Sequence, residues 1–389
     1  MSDRGIIPLS IPVICGREWK YIKDCLDTGW VSSAGKYVNK LEEEICKYTG
    51  AKHAVACVNG TAALHISLML VGVQPDDEVI VPTLTFIAPV NVVRYLNASP
   101  IFMDADKYYN LDVQKTIQFI KEETKFKNGF SYNKKTGKRI SAIIPVHVFG
   151  HAVDIELLMP ICHERNIKII EDATESLGTY YNSGCLKNNY AGTICDIGCF
   201  SFNANKIITT GGGGMIVTNK EEYAKRARYL TTQAKDDPVQ YIHNEIGFNY
   251  RLTNLQAAMG VAQLEQLEKY IEIKKKNYFI YKKEVDDIPG LQISVTPDYA
   301  ESNYWFYCLQ IDNNTYGKNK DQLMSYLGEN KIQARPIWHL NHLQKPYRNY
   351  QNHKIERALE LQKITLNIPC SVNLSESDAY RVIECIKNG

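Results

Sequence analysis

The sequence predicts an α/β protein with a large domain built on a mixed, mostly parallel sheet and a smaller C-terminal α+β domain. Two observations lead to this prediction. Up to about residue 265, short apolar runs rich in β-branched residues alternate with stretches of helical periodicity. Beyond Pro289, short strand-like and helical patterns are mixed instead.

Seven strands are predicted in the large domain, most of them apolar on both faces, as strands covered by helices on each side should be. They are Ala54–Val58, Glu78–Val81, Pro100–Met103, Ala142–Pro145, Ile167–Ile170, Asp196–Phe202 and Met215–Thr218. The polar stretch Lys121–Lys138 interrupts this pattern. It predicts an inserted hairpin or loop, and a solvated surface excursion is favoured there over a binding element.

A long helical pattern begins at Leu252 and runs into the lysine-rich segment Ile273–Lys276. We therefore expect one long helix to cross the boundary between a large domain of residues 1–265 and a small domain of residues 266–389. An N-terminal arm can pack on the small domain. The chain is expected to end in a helix at Ser375–Ile386.

Composition excludes several classes of protein. The 45 basic and 43 acidic residues give a net charge of +2, which does not support non-specific binding to nucleic acid. Residues Met1–Pro8 lack the layout of a signal peptide, and no apolar run is long enough to span a membrane. The 11 cysteines form no C-x-x-C pair, so we expect reduced thiols in the cytoplasm and predict no metal site.

The first predicted strand leads into Asn59–Leu64, where Gly60 and Thr61 open a helix-forming run. Free backbone N–H groups at such a helix N-terminus suit a phosphate. A plain strand-to-helix turn with Thr61 as the N-cap explains the pattern equally well. The sequence is neither a Walker loop nor a G-x-G-x-x-G dinucleotide fingerprint.

Two further strands lead to candidate ligand-binding side chains. Phe86 follows the strand at Glu78–Val81 and can stack on a flat cofactor ring, although an isolated aromatic there is more often part of the core. Asp172 follows the strand at Ile167–Ile170, and a carboxylate at that depth needs a partner. A protonated pyridine nitrogen would serve, and a capping role for the next helix is the equal alternative.

A lysine follows the strand at Asp196–Phe202. Taken alone, Lys206 is more often a surface residue, but an aspartate 34 residues earlier and a glycine run beside it favour a Schiff-base lysine. Ser201 could add a hydroxyl to a phosphate site, and the glycine run 211–214 permits close backbone approach. His147 could line the same site, although a structural histidine with satisfied hydrogen bonds is favoured there.

In this order, these segments resemble the DegT/DnrJ/StrS family of sugar aminotransferases, a branch of the fold-type I enzymes that use pyridoxal 5′-phosphate (PLP). The resemblance covers essentially the whole chain. It rests on five motifs: Asn59–Leu64, Pro82–Phe86, Glu171–Glu175, Ser201–Lys206 and Gly247–Arg251. Each motif alone is a weak signal, and five in fixed order are a strong one.

The resemblance implies a role for each matching residue around PLP. Lys206 would hold the cofactor as a Schiff base and move the substrate proton, and Asp172 would keep the ring nitrogen protonated. Phe86 would stack on the ring. L-Glutamate is the expected amino donor.

The phosphate of the cofactor would be bound, by the same resemblance, at Gly60, Thr61 and Ser201. Asn249 would reach the phosphate of the neighbouring subunit's cofactor, which implies at least a homodimer with shared active sites.

A finer resemblance points to the acceptor. Three segments resemble aminotransferases of the legionaminic-acid type, which act on nucleotide-linked 4-keto-6-deoxy sugars with an N-acetyl group: Leu26–Ser33, Tyr304–Trp305 and Arg335–His339. It implies that Trp30, Arg335 and Trp338 bind the nucleotide sugar, while packing or surface ion pairs explain each of them equally well. Whether the nucleotide is UDP or GDP stays open.

Glu175 departs from the family pattern, in which glutamine is frequent at this position. A glutamate near the cofactor's phenolic oxygen would have to be protonated, or held away, to avoid repulsion. Its role therefore stays open, although the motif places it among the cofactor-binding residues.

The sequence also bears on several other functions. Amination at C3 in place of C4 is an alternative within the family, and a non-catalytic regulatory protein of the same fold is an alternative outside catalysis. Retention of Asp172 and Lys206 argues against the regulatory protein. Family members that are dehydratases carry a histidine where Lys206 stands, and an NAD-linked oxidoreductase would need a glycine fingerprint that is absent from this sequence.

Overall fold

A mixed α/β sheet forms the centre of the computed structural model, which describes residues 5–389. The strands are β1 (His53–Cys57), β2 (Glu78–Pro82), β3 (Ser99–Met103), β4 (Thr124–Lys127), β5 (Phe130–Asn133), β6 (Arg139–Ile143), β7 (Lys168–Asp172), β8 (Tyr180–Tyr181), β9 (Ile197–Ser201), β10 (Gly214–Thr218), β11 (Leu291–Ile293), β12 (Ala300–Glu301), β13 (Tyr307–Ile311), β14 (Arg335–Pro336), β15 (Asn352–His353) and β16 (Thr365–Ile368).

Helices cover both faces of this sheet and flank a second one. They are α1 (Glu18–Thr28), α2 (Lys36–Thr49), α3 (Gly60–Leu70), α4 (Ala88–Tyr95), α5 (Val113–Glu122), α6 (Ile155–Glu164), α7 (Glu221–Thr231), α8 (Asn254–Leu264), α9 (Leu267–Val285), α10 (Asn313–Tyr316), α11 (Lys320–Glu329), α12 (Arg357–Ile364) and α13 (Glu376–Lys387). Two single turns of 3₁₀ helix lie at Val148–Gly150 and Asn341–Leu343.

The large sheet has the strand order β1-β10-β9-β7-β6-β2-β3-β15. The run from β9 to β15 is parallel throughout, and β10 is antiparallel to both β9 and β1. It follows that β1 points the same way as β9, so the carboxyl ends of β1, β2, β7 and β9 lie at one edge. That edge is where ligands bind in open α/β sheets.

All seven strands predicted for the large domain are present, with ends that differ by up to three residues. Their interior positions are buried on both faces because helices pack on each side, and β2 and β10 are buried along their whole length. β7 extends to Asp172, so this residue ends the strand instead of following it.

The inserted stretch within Lys121–Lys138 is a true hairpin. β4 and β5 pair antiparallel across a turn at Asn128 and Gly129, both with positive φ, and β5 continues onto β6. Side chains near the tip are exposed, Phe126 and Phe130 among them. The hairpin lies near the amino ends of the parallel strands, on the opposite side of the sheet from the edge formed by their carboxyl ends.

The single long helix expected from Leu252 is wrong. Thr253 caps α8 with a capping box, as the local pattern suggests, but α8 ends at Leu264 and α9 begins at Leu267. Glu265 and Gln266 form the break between the two helices. The sequence has no glycine or proline at this break, so the break could not be predicted from helix-breaking residues.

A second sheet of four antiparallel strands, in the order β11-β13-β16-β14, is built from residues 291–368. The N-terminal arm runs along this part of the chain, where Ile7 pairs with Ile332 and Leu9 accepts a hydrogen bond from Cys370 N. β15 returns to the large sheet beside β3. The division of the chain at residue 265 stays a prediction.

The helices between residues 5 and 389 include none that combines the length and the apolar character needed to cross a membrane.

Candidate active site

Residues that follow four strands surround a pocket of about 560 Å³ at the carboxyl edge of the large sheet. The four strands are β1, β2, β7 and β9, and residues of the second sheet close the other side. The structure thus brings together side chains that lie more than a hundred residues apart in the sequence.

The turn after β1 brings the first turn of α3 to the pocket. Asn59 is the N-cap, since its side chain accepts from Ala62 N at 2.7 Å, so the alternative of Thr61 as the N-cap is wrong. Gly60 and Thr61 occupy the first turn and line the pocket. N–H groups in a first helical turn have no partner inside the helix and favour a negative charge.

Gly60 is a close-packed position. A Cβ built on it would lie 2.9 Å from Ser201 Cβ and 3.1 Å from Thr174 Cγ2. Ser201 and Thr174 also line the pocket, and Ser201 Oγ would lie 3.3 Å from the same Cβ, so a hydroxyl group from the end of β9 faces the first turn of α3. The glycine lets these three segments meet.

Asp172 lies at the bottom of the pocket, only 1% exposed. No helix follows it directly, which removes the alternative of a helix cap, and its Oδ1 accepts from Thr174 N at 3.1 Å. Burial raises the pKa of Asp172 above its ordinary value, against smaller opposing contributions from Thr174 and Lys206. A cation bound in the pocket would reverse this shift.

Lys206 is not a surface residue, because its side chain is only 13% exposed. Its Nζ lies 4.0 Å from the centroid of the Trp305 ring and 3.4 Å from Glu175 Oε1. Trp305 is fixed in turn by a hydrogen bond from its Nε1 to Asn205 O, at 2.7 Å. The amine is therefore held inside the pocket between a ring face and a carboxyl group.

Glu175 is buried beside Lys206 and lines the pocket. Burial raises its pKa to about 7, and the nearby Lys206 amine opposes this shift. Its Oε2 accepts from Phe149 N at 2.9 Å. The carboxyl group is thus neither held away from the pocket nor fixed as an anion.

Phe86 lines the pocket and is half exposed, so it is not part of the core. The loop that carries it is fixed by Asn341, whose Nδ2 donates to Thr83 O at 3.2 Å and to Thr85 O at 2.8 Å. His342 Nδ1 lies 2.6 Å from Thr83 Oγ1. A segment from the far end of the chain therefore positions the loop after β2.

The second sheet contributes Arg335 and Trp338 to the pocket. Arg335 is exposed at the mouth, and Trp338 is half-buried with its ring stacked on Phe149 at 4.8 Å between centroids. Together with Lys206, Arg335 carries the positive charge among the described residues that line this pocket.

Trp30 and Asn249 are exposed and do not line the pocket within the described chain. The loop that carries Asn249 is anchored by the neighbouring Arg251, whose Nη1 donates to the buried carboxylate of Glu42. The arginine of the Gly247–Arg251 motif is therefore structural. Asn249 remains a proposal for a site shared between subunits, and Trp30 remains a proposal for binding the nucleotide sugar.

His147 is fully buried, and both ring nitrogens have partners. Nδ1 accepts from Val153 N at 3.0 Å, which leaves Nε2 to donate to Glu171 Oε2 at 3.2 Å. The structure thus makes His147 a structural residue, as the sequence favours.

Two residues that matter to the site were not predicted from the sequence: Phe149, which lines the pocket, and Asn341, which fixes the loop that carries Phe86. Phe149 carried a usable signal, since it follows the predicted strand at Ala142–Pro145 by a few residues, on the edge where the other site residues fall. Asn341 carried none, because its role depends on contacts across more than 250 residues of sequence.

The model of the DegT/DnrJ/EryC1/StrS aminotransferase family matches residues 13–387. The chain belongs to this family. It is 34% identical to the GDP-perosamine synthase of Caulobacter vibrioides, over 99% of both chains. It is 35% identical to the putative pyridoxal phosphate-dependent aminotransferase EpsN of Bacillus subtilis, over 98% of this chain and 95% of that one.

The fold prediction is confirmed by comparison with solved structures of the family. DesI in the presence of its TDP-sugar product superposes with a TM-score of 0.87 at 25% identity, over 99% of this chain and 93% of that one. The protein has the fold of the PLP-dependent aminotransferases and is an enzyme of this family, with PLP as its cofactor.

The pocket residues fit PLP chemically. The first turn of α3 with the Ser201 hydroxyl beside Gly60 suits the phosphate, and the buried carboxyl of Asp172 suits a protonated ring nitrogen. Lys206 presents the only lysine amine among the described pocket residues. The residues that would hold PLP are thus found on the expected strand ends.

Proposed function

We propose that this enzyme transfers an amino group from L-glutamate to the C4 keto group of a nucleotide-linked 4-keto-6-deoxyhexose. The observation that carries the proposal is the position of Lys206 Nζ, enclosed by Trp305 and Glu175 in the same pocket as Asp172. We propose that this reaction serves the biosynthesis of a surface polysaccharide or glycan. The same chemistry at C3 is the alternative within the family.

Lys206 and Asp172 control the protons in the proposed reaction. Bound PLP supplies an aldehyde that takes up nitrogen and a ring that absorbs electrons from the donor's α-carbon. Lys206 Nζ takes the proton from that α-carbon and later returns a proton to the acceptor, as general base and then general acid. Asp172 keeps a proton on the ring nitrogen, and its burial strengthens this ion pair.

The charge of the pocket mouth fits both proposed substrates. Arg335 is exposed there, and no acidic side chain of the described residues forms an ion pair with it. A guanidinium group binds carboxylate and phosphate equally well through paired hydrogen bonds. We therefore assign Arg335 to the donor's carboxylate in one half-reaction and to the nucleotide diphosphate in the other.

The aromatic side of the pocket fits a deoxy sugar. Trp338 and Phe149 present stacked rings beside Trp305, and a 6-deoxyhexose has an apolar methyl edge that packs well on such surfaces. We propose an N-acetylated acceptor of the legionaminic-acid type, as the resemblance of Arg335–His339 implies. The named relative makes a GDP-linked sugar, so GDP and UDP both enter the test.

We propose a homodimer in which Asn249 reaches the phosphate of the neighbouring subunit's cofactor. Three facts support it: Asn249 is exposed, it lies outside its own pocket, and its loop carries exposed apolar residues. Val239 and Ile246 of that loop are 84% and 85% exposed. Apolar exposure of this extent is typical of an interface.

We place the enzyme in the cytoplasm. Six cysteines of the described chain are buried as free thiols, and they are Cys25, Cys57, Cys162, Cys199, Cys308 and Cys370. Such usage is typical of a reducing compartment.

Absorbance spectroscopy tests the donor half-reaction. We expect the visible band of the holoenzyme to be replaced by that of the pyridoxamine form when L-glutamate is added, and to return when a keto sugar follows. Lys206→Ala should abolish turnover. A wild-type spectrum that ignores L-glutamate, or a Lys206→Ala variant that still turns over, would falsify the aminotransferase proposal.

Product analysis tests the acceptor. UDP- and GDP-linked 4-keto-6-deoxy sugars, with and without an N-acetyl group, are supplied in parallel to enzyme that L-glutamate has already converted. We expect one N-acetylated nucleotide sugar to restore the visible band fastest and to gain nitrogen at C4, as seen by NMR. Preference for a C3 ketone would select the alternative.

A further inference from the structure

Phe149 and Gly150 form a left-handed turn at the edge of the pocket. Phe149 has φ 57° and ψ 16°, and Gly150 has φ 90°. A bulky residue in this region of backbone space is rare and costs free energy, so it persists only where the surroundings hold it. Asn303 Oδ1 occupies the space that a side chain on Gly150 would need.

The turn places the Phe149 ring in an aromatic wall that it forms with Trp338 and Trp305. Phe149 stacks on Trp338 at 4.8 Å with an interplanar angle of 21°, and its centroid lies 6.4 Å from that of Trp305. All three side chains line the pocket. The wall therefore depends on a strained backbone.

Glu175 holds this turn from the other side. Its Oε2 accepts from Phe149 N at 2.9 Å, while its Oε1 lies 3.4 Å from Lys206 Nζ. Asn303 ties the same residues together, since its Nδ2 donates to Glu175 O at 2.9 Å and its Oδ1 accepts from Trp305 N at 3.0 Å. One buried carboxyl group thus contacts both the wall and the lysine.

The charges around Glu175 leave its protonation sensitive to its neighbours. Lys206 faces it from the segment after β9, Asp172 from the end of β7, and Cys308 from β13. Burial raises the pKa of Glu175 to about 7, and the nearby Lys206 amine opposes the rise. Either protonation state leaves an oxygen able to accept from Phe149 N.

We propose that Glu175 is a positioning residue for the acceptor, which fixes the aromatic wall through Phe149 N while it holds the Lys206 amine. The wall and the reacting amine are then aligned by one side chain. This inference rests on the proposed function, because it assigns the wall to the keto sugar. It differs from a cofactor contact, since it acts through the backbone of Phe149.

A purely structural role for a buried glutamate is illustrated by Glu171, four residues earlier. Its carboxylate accepts from His147 Nε2 and from three backbone N–H groups, those of Gly192, Ile194 and Cys195, and it is not among the described residues that line the pocket. Glu171→Gln is therefore the matched control: it changes a buried carboxylate without touching the wall.

A double-mutant cycle tests the coupling. The keto-sugar concentration that half-saturates the second half-reaction is measured in Glu175→Leu, in Phe149→Ala and in the double variant. Loss of a hydrogen bond to a buried N–H should raise this concentration about tenfold in Glu175→Leu. If Glu175 acts through Phe149, the double variant should stay within about twofold of the larger single effect.

The conservative variant separates hydrogen bonding from charge. Glu175→Gln keeps an oxygen for Phe149 N, so its half-saturating concentration should stay within about twofold of wild type, as should that of Glu171→Gln. Effects of Glu175→Leu and Phe149→Ala that multiply in the double variant would overturn the proposal. So would a Glu175→Leu variant with an unchanged half-saturating concentration.

Tryptophan fluorescence of the cofactor-free, full-length protein gives a second readout that needs no activity. The Lys206 amine lies over the Trp305 ring and faces Glu175, so a change of charge on Glu175 should shift wild-type emission, with a midpoint near 7, the pKa of Glu175. Glu175→Gln should abolish that transition and Glu171→Gln should keep it. A transition that survives in Glu175→Gln contradicts the inference, whereas a glutamate-insensitive holoenzyme spectrum contradicts only the proposed function.

Discussion

One methyl group added at Gly60 should weaken the binding of PLP. Its Cβ would approach Ser201 Cβ to 2.9 Å, and both residues surround the proposed phosphate site. Over-packing of this kind costs about 1–3 kcal/mol. We therefore expect Gly60→Ala to weaken PLP binding about tenfold or more, as measured by titration of the apoenzyme with PLP.

The control for this variant is Gly328→Ala in α11, where nothing lies within 4 Å of the added Cβ. This control should bind PLP as wild type does. If Gly60→Ala binds PLP as tightly as wild type does, the phosphate does not bind at the first turn of α3.

His151 should make the fold sensitive to acid. Burial lowers its pKa to about 4, whereas an unfolded histidine titrates near 6.5. Because the folded pKa is the lower one, the stability that neutral His151 provides is complete above pH 6.5 and is lost as pH falls toward 4. This group alone should remove about 1–2 kcal/mol between pH 7 and pH 5.

Urea unfolding at the two pH values checks this prediction. His151→Asn keeps a donor for Tyr108 O, which the His151 ring approaches at 3.1 Å, and cannot be protonated in this range. The variant should therefore lose less stability than wild type on acidification. A wild-type slope that Asn leaves unchanged would assign the acid sensitivity to other groups.

Among the elements, the 3₁₀ turn at Asn341–Leu343 should control the loop that carries Phe86. Asn341 is 1% exposed and donates to Thr83 O and Thr85 O. Removing the side chain leaves Thr85 O without this donor, at about 1–3 kcal/mol, whereas Thr83 O keeps a bond from Asn341 N. We expect Asn341→Ala to lower the melting temperature and to weaken PLP binding about fivefold.

Asn277→Ala serves as the comparison, because Asn277 is also buried and donates to Leu374 O at 3.2 Å, far from the pocket. It should lower the melting temperature and leave PLP binding intact. If both variants weaken PLP binding equally, the effect of Asn341 is general destabilisation and not positioning of the loop.

The sequence predicted the elements whose signal is local. Strands such as β2 and β10 are continuous apolar runs, and the cap of α8 is a Thr253-x-x-Gln256 box, so periodicity and capping located them. The break at Glu265 and Gln266 lacks any local signal, because both residues favour helices and no glycine or proline stands between α8 and α9. Local propensity is a weak guide at such points.

The sequence likewise predicted only those residues of the candidate site that a local pattern marks. Gly60, Asp172 and Lys206 fall just at or after strand ends, and parallel strands bring such positions together whatever their spacing in the sequence. The Phe149 turn depends on Asn303 and on Glu175, which lie about 26 to 150 residues away in the sequence. Contacts of that range are set by tertiary packing, which no short motif encodes.

The whole molecule should be a twofold dimer whose two sites each take residues from both chains. In such a dimer one chain supplies Lys206 and Asp172 while the other supplies Asn249 across an interface made by the loop at 233–250. A twofold interface repeats this exchange at both sites. Lys206→Ala and Asn249→Ala should therefore each impair both sites of their own homodimers.

Mixing the two variants should restore activity. In a mixed dimer, one site has the intact Lys206 of the Asn249→Ala chain and the intact Asn249 of the Lys206→Ala chain, while the other site carries both defects. Random reassociation makes half of the dimers mixed, so the mixture should recover about a quarter of wild-type activity. Mixing Lys206→Ala with Asp172→Asn is the control, because those two residues belong to one chain's pocket and each site would keep one defect. Recovery in the control, or none with Asn249→Ala, would place Asn249 outside the shared site.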